Sequence, residues 1–240
     1  MPMIIICDAH VSEAKGNHLQ FFKMLGAFES CDHDLIFLGD IFDLWIALPR
    51  YEREIHHRFL AWCKKQKQHR TIGYIEGNHE YFLAEERKDF FSWCTDKAFR
   101  QDGHGTVFCH GDQVNRLDKN YLLFRKLAKN GISKQILRFL PPGPRFVEYL
   151  KARMKKTNLD FRRQFPAQQI ETFAENRFKE GGRTIFIAHF HRPYSYRSSE
   201  GGVLHTLPGW MGTGMVTLCD ENNRTVRHLN WQELFAPQPL

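Results

Sequence analysis

The chain has 240 residues, and roughly 100–200 residues per domain makes it one domain, or one domain with a subdomain. Hydrophobic residues are 42% and charged residues 25%, as in an ordinary soluble protein, and no apolar run approaches the ~18 residues of a membrane span. The net charge of +7 is unevenly placed. Between Arg116 and Arg163 fourteen Lys/Arg face only Asp118, Glu148 and Asp160, an excess of +11 that leaves −4 for the rest of the chain. Such a local excess fits either a solvated helical face or an anionic partner: a phosphorylated substrate, an acidic membrane surface or nucleic acid.

The opening Met1-Pro2-Met3-Ile4-Ile5-Ile6-Cys7 lacks a basic leader and reads as a buried first strand, Met3–Cys7, rather than a signal peptide. Helical spacing over Asn17–Glu29 precedes a second strand at Asp34–Leu38, and a further helix over Tyr51–Gln66 precedes a third at Thr71–Ile75. Strands follow at Thr106–Cys109 and Thr184–Ala188, then at Val203–Leu207, Met215–Cys219 and Thr225–Leu229, the last two joined by a turn at Asn222-Asn223. This alternation predicts an α/β layered core with a sheet sandwich. From about 116 to 180 the spacing of Tyr121, Phe124, Leu127, Ala128, Ile132, Ile136, Leu137 and Leu140 predicts a helical insertion, broken at Pro141-Pro142-Gly143-Pro144. The six cysteines contain no C-x-x-C pair and are expected as free thiols in a reducing compartment.

Five polar clusters come directly after predicted strands. They are Asp8-Ala9-His10, Gly39-Asp40-Ile41-Phe42-Asp43, Gly77-Asn78-His79-Glu80, His110-Gly111-Asp112 and His189-Phe190-His191. Each alone reads equally as a strand-end turn or a satisfied core histidine. Together they bring carboxylate, amide and imidazole to strand C-terminal ends, where α/β sheets open their ligand crevice. Carboxylate oxygen and imidazole nitrogen suit Mn²⁺, Fe or Zn²⁺, and the absence of thiolate ligands speaks against structural zinc. Two ions ~3.5–4 Å apart can hold a hydroxide nucleophile and clamp phosphoryl oxygens.

The ordered set Asp-x-His, Gly-Asp-x-x-Asp, Gly-Asn-His-Glu, His-Gly-Asp and His-x-His, from Asp8 to His191, resembles the calcineurin-like metallophosphoesterase superfamily. The resemblance implies an αββα two-sheet sandwich, with the helical insertion as a cap. It implies Asp8, His10 and His191 on one metal, Asp40 as the bridge, and Asn78, His110 and His189 on the other. His79 would stand near the leaving group, so Asp40 and His79 are the expected catalytic residues. Ala188 replaces the usual Gly before the final His-x-His.

Gly39-Asp40-Ile41-Phe42-Asp43-Leu44-Trp45, Asp118-x-x-Tyr121-x-x-Phe124-Arg125 and His191-Arg192-Pro193 look more narrowly like UDP-2,3-diacylglucosamine pyrophosphatases of lipid A biosynthesis. That likeness implies pyrophosphate hydrolysis releasing UMP, two divalent metals with Mn²⁺ favoured, and substrate contacts from Asn78, His79, Tyr121 and Arg125. It also implies a cytoplasmic protein with peripheral contact at the inner membrane. No nucleic-acid partner is expected, because few aromatics interleave the basic stretch. The sequence departs from this pattern at His79, where Arg is usual, at Ile46-Ala47-Leu48-Pro49-Arg50, which lacks acidic residues, and at Asn115-Arg116-Leu117-Asp118. The alternative reading is a phosphodiesterase or phosphatase acting on nucleotides or phosphoproteins. A non-catalytic scaffold is disfavoured by the intact set of candidate ligands.

Overall fold

The computed structural model describes residues 2–139, 165–220 and 225–236. The expected Asn222-Asn223 turn, the proline-rich break and the basic segment from 140 to 164 lie outside the described residues. Two mixed sheets form the centre. The first has strands β1 (Met3–Ile6), β2 (Asp34–Phe37), β4 (Ile72–Ile75), β6 (Trp93–Thr95), β12 (Met215–Asp220) and β13 (Thr225–Asn230), in the order β13-β12-β1-β2-β4-β6. The second has β7 (Arg100–Gln101), β8 (Thr106–Cys109), β9 (Thr184–Ile187), β10 (Tyr194–Arg197) and β11 (Val203–Thr206), in the order β10-β11-β9-β8-β7. A two-stranded ribbon pairs β3 (Trp45–Ile46) with β5 (Glu80–Tyr81).

The period-two alternation of the strands builds four layers. Ile4, Ile6, Leu35 and Phe37 face Phe21, Phe28 and Phe59 of α1 (His18–Phe28) and α2 (Glu54–Gln66). The intervening Met3, Ile5, Ile36 and Leu38 turn inward and meet Phe108 and Phe186 of the second sheet. Val107, Cys109, Ile185 and Ile187 face outward onto Ile170 and Ala174 of the helix Ala167–Lys179, labelled α6 here. The order helix, sheet, sheet, helix is the expected αββα sandwich. Burying each large apolar side chain stabilises by roughly 1.5–3 kcal/mol, so the inter-sheet layer holds the two halves of the site in register.

The short helix α3 (Leu83–Glu86) follows β5, and α4 (Lys119–Ala128) and α5 (Gly131–Phe139) stand beside the sandwich. Phe124, Ala128 and Leu137 pack with Ile46, Leu48, Tyr81 and Phe82, while Leu123, Leu127, Ile132, Ile136 and Phe139 remain exposed. Asp118 caps α4 by accepting from the Tyr121 backbone N–H at 2.9 Å. Helix α2 begins at Glu54 rather than Tyr51 because the Arg53 N–H donates to His56 Nδ1 at 2.9 Å, closing the first turn. Strands β3, β5, β6 and β7 were not expected, since two or three residues are too few to set a period, nor was β10, because Tyr194–Arg197 contains no Ile, Val or Leu run. All six cysteines are free thiols. Among the described residues no helix is long and apolar enough to cross a membrane.

Candidate metal centre

The five clusters converge where the C-terminal ends of β1, β2, β4, β8 and β9 meet. Main-chain bonds tie the loops together: Asp8 N–H donates to Gly39 O at 3.1 Å, and His10 N–H donates to Asp40 O at 2.9 Å. The two sheets are joined at the site by His189 N–H, which donates to Asp8 Oδ2 at 3.0 Å. Asp8, His10, Asp40, His189 and His191 all adopt left-handed backbone, with φ of 50°, 41°, 53°, 71° and 51°. Such conformations cost of order 1–3 kcal/mol each for non-glycine residues and persist where the surroundings enforce them. Of the six non-glycine residues described with positive φ, only Phe82 is not a candidate ligand. Close approach is permitted by Gly77, where an added Cβ would lie 2.2 Å from Asp40 Oδ1, and by Gly39, where it would lie 2.6 Å from His110 Nδ1.

Three overlapping groups of ligand atoms each lie within 4.8 Å of one another: Asp8, His10 and His191; His10, Asp40 and His79; and Asp40, His110 and His189. Asp40 belongs to two of them. Its Oδ2 is 4.0 Å from His10 Nε2 and 3.7 Å from His79 Nε2, and its Oδ1 is 3.5 Å from His110 Nε2. Asp8 Oδ1 is 3.5 Å from His191 Nε2, and Asn78 Oδ1 is 3.1 Å from His110 Nε2. Ala188 is buried, and the two imidazoles after it reach the site.

These residues fit a pair of divalent cations. His110 Nδ1–H donates to Leu38 O at 2.7 Å and His79 Nδ1–H donates to Asp43 O at 2.6 Å, which turns each Nε2 toward Asp40. Fixing one ring nitrogen on a carbonyl is how proteins set the tautomer of a ligating histidine. Asp8 Oδ1 and His79 Nε2 are buried without a hydrogen-bond partner among the described residues, although an orphaned buried polar atom costs about 1–3 kcal/mol. Oxygen and imidazole donors gathered this closely are the ligand types that suit a borderline divalent ion.

The electrostatics follow from the burial. Burial pushes Asp40 up, but His79, His110 and His10 around it hold its carboxyl well below the usual range. Burial lowers His110, yet Asp40 and its hydrogen bond raise it to about 10. His10 is lowered to about 3 by burial and by His79, and His189 to about 4 by burial and by His110.

Three supports went unassigned in the sequence. Glu80 is fully buried and accepts from the N–H groups of Asp40, Ile41 and Gly77, each at 2.8 Å, and from Tyr74 Oη–H at 3.0 Å. Burial and the Asp40 charge raise its carboxyl to about 7 against the N–H groups that favour the carboxylate. Its place in the Gly-Asn-His-Glu run was the available signal. Asp112 accepts from Tyr121 Oη–H at 2.5 Å and Arg125 Nε–H at 2.7 Å, so both expected substrate contacts of the insertion are tied to the His110 loop. Burial would raise Asp112, but Arg125 holds it well below the usual carboxylate range. Lys129, at the end of α4, reaches Gly77 O at 2.7 Å. No periodicity announces such pairings, because most of them join separate loops, 40 residues apart for Asp40–Glu80, 13 for Asp112–Arg125 and 52 for Gly77–Lys129. A small cavity lies between α4 and the site, lined by Asn78, Tyr81, Tyr121, Phe124, Arg125, Ala128 and Lys129.

Comparisons with known proteins agree with this chemistry. The chain is 25% identical over 243 residues to UDP-2,3-diacylglucosamine hydrolase of Shewanella loihica, covering 97% of this chain and 98% of that protein. It is 24% identical over 223 residues to the enzyme of that name from Shewanella pealeana, covering 89% and 92%. The phosphoesterase Yfce of E. coli superposes with a TM-score of 0.41 at 12% identity over 96% of this chain and 99% of that one, too weakly to carry any argument. The calcineurin-like phosphoesterase family model matches residues 1–223. With that match and a buried Asp/His centre at converging strand ends, the chain belongs to the calcineurin-like phosphoesterases, a family of metal-dependent hydrolases.

Proposed function

We propose that this protein hydrolyses the pyrophosphate bond of UDP-2,3-diacylglucosamine or a close lipid-linked sugar nucleotide, releasing UMP and a lipid monosaccharide phosphate. In this reading Asp8, His10 and His191 would hold one divalent ion, Asn78, His110 and His189 the other, and Asp40 would be shared by both. Mn²⁺ is the favoured ion, with Fe or Zn²⁺ as alternatives. The pair would supply Lewis acidity and an activated water to the reacting phosphoryl group. His79, held by the Asp43 carbonyl with Nε2 toward Asp40, would stabilise charge or move a proton at the leaving oxygen. Asn78, His79, Tyr121 and Arg125 would face the substrate.

The observation that carries the reading is the placement of α4 and α5. They set an apolar and basic surface beside the candidate centre, with a cavity running from Asn78 to Tyr121, Phe124 and Arg125. An amphiphile needs both surfaces, acyl chains on one and phosphates on the other. We take these helices as part of a cap spanning about 116–180 on a single domain covering 1–240. The exposed Leu123, Leu127, Ile132, Ile136 and Phe139 support peripheral contact with the inner leaflet from the cytoplasmic side.

One observation favours a second reading, a phosphodiesterase or phosphatase for nucleotides or phosphoproteins. His79 stands where the pyrophosphatases usually have Arg, and an imidazole suits a poor leaving group that needs protonation. Mn²⁺-replete protein incubated with UDP-2,3-diacylglucosamine in mixed micelles should yield UMP on chromatography. Hydrolysis of an aryl phosphodiester with no turnover of the lipid would move the assignment to the second reading.

A further inference from the structure

Lys129 ends α4, with its backbone N–H on Arg125 O at 3.0 Å. Its side chain is 8% exposed, and Nζ donates to Gly77 O at 2.7 Å while lying 3.3 Å from Glu76 Oε2. The ammonium also stands 5.4 Å from the centre of the Tyr81 ring. All three partners belong to the run that carries Asn78. Gly77 is held from the other side as well, since its N–H donates to Glu80 Oε2 at 2.8 Å. No Cβ fits at Gly77, and the residue is held at its N–H by Glu80 and at its carbonyl, in the peptide leading into Asn78, by Lys129. Asn78 Oδ1 then lies 3.1 Å from His110 Nε2, on the half of the centre assigned to the second ion. Burying an ammonium costs several kcal/mol even when paired. An apolar residue at 129 would avoid that cost while leaving the Gly77 carbonyl free to rotate.

We propose that Lys129 is a positioning residue that aims Asn78 at the second ion by holding the Gly77 carbonyl against α4, coupling the seating of the cap to metal affinity. The proposal rests on the two-ion reading above. Coupling is reciprocal, so filling the centre tightens α4 as much as α4 tightens the centre.

The test is Mn²⁺ titration of the full-length protein by electron spin resonance of the free ion, alongside Lys129→Met and Lys129→Arg. Wild type should bind two ions per chain. Lys129→Met should weaken one of them by about 10- to 100-fold, the usual effect of losing an outer support of a ligand, and leave the other unchanged. Lys129→Arg, which keeps the charge and the donors, should restore most of the loss. Unchanged binding of both ions by Lys129→Met, or equal weakening of both, overturns the proposal while leaving the two-ion reading intact. Fewer than two ions on wild type sinks the reading itself, and the proposal with it. Should Lys129→Met not fold, hydrogen exchange on wild type decides. Amides of α4 should exchange more slowly with Mn²⁺ bound, and unchanged protection there refutes the coupling.

Discussion

Arg125→Ala removes the guanidinium from a pair in which Asp112 is 2% and Arg125 12% exposed. The bond from Arg125 Nε to Asp112 Oδ2 is 2.7 Å, and Tyr121 Oη–H remains as the other donor to that oxygen. Breaking a buried pair by deleting one partner costs roughly 3–5 kcal/mol, and the surviving Tyr121 bond places the loss near the lower end, about 3 kcal/mol. At ~2–4 °C per kcal/mol for a chain of this size, the unfolding midpoint should fall by roughly 6–12 °C. The sign of the pH effect fixes the conditions. Asp112 is held well below the ordinary carboxylate range, so the pair's contribution is full above that range and is lost as pH falls from it toward the lowered folded value. Measured at pH 7 in chelator by near-ultraviolet circular dichroism, Arg125→Ala, Asp112→Ala and the double variant form a cycle. The double variant should lose less than the sum of the singles by ~1–3 kcal/mol. Additivity to within ~0.5 kcal/mol, or a midpoint shift under ~2 °C for Arg125→Ala, refutes the reasoning. Kinetics add a second readout: a substrate contact raises KM for the lipid alone, whereas disturbance of the His110 loop lowers turnover of a small aryl phosphodiester as well.

Asp40→Ala removes the carboxylate shared by two groups of ligand atoms, and metal analysis should find loss of the tightly held pair together with nearly all hydrolysis. Near-normal turnover of the metal-loaded variant would contradict the bridging role. His79→Ala should slow hydrolysis by ~10²–10⁴ for poor leaving groups and by less for activated aryl esters. An equal loss across leaving groups assigns His79 to electrostatics instead. His56 stacks on Trp45 at 5.2 Å and is lowered to about 3 by burial first and by His57 and Arg53 next. The unfolded chain binds this proton below ~6.5 and the folded chain does not, so stability is full above ~6.5 and declines as pH falls toward 3. His56→Gln keeps an acceptor for the Arg53 N–H and removes the titration. Its unfolding free energy from denaturant titration should drop less than that of wild type between pH 7 and pH 5, by about 2 kcal/mol, and parallel pH profiles count against the assignment.

The residues that gather at the strand ends were legible in the sequence because they are local. Each lies within a few positions of a short Ile/Val/Phe run, and the period of such a run records which side faces an apolar layer. Asp8, Asp40, Asn78, His110 and His189 could thus be placed after their strands, and the order of helices and strands gave a layered α/β core, while the αββα arrangement was implied by the resemblance of the motif set. The separation of apolar residues at 121, 124, 128 and 137 likewise announced helices in the insertion, yet not which of them would pack. Leu137 is buried, whereas Ile132 and Ile136 on the same helix are exposed. Only the tertiary structure decided what the loops do to one another. Left-handed backbone at five candidate ligands persists against its cost where the surroundings hold it, and although Asp and His adopt it more readily than most residues, their identity alone does not say which of them will. Glu80 ties the run after β4 to Asp40 and Ile41 after β2, Arg125 clasps Asp112 across the loop before α4, and Lys129 carries α4 to Gly77 after β4 of the first sheet, pairings that the folded chain alone brings together. A side chain's chemical type is written in the sequence. The partner that satisfies it is chosen by long-range packing, which forces every buried polar group to find whatever the fold has set beside it.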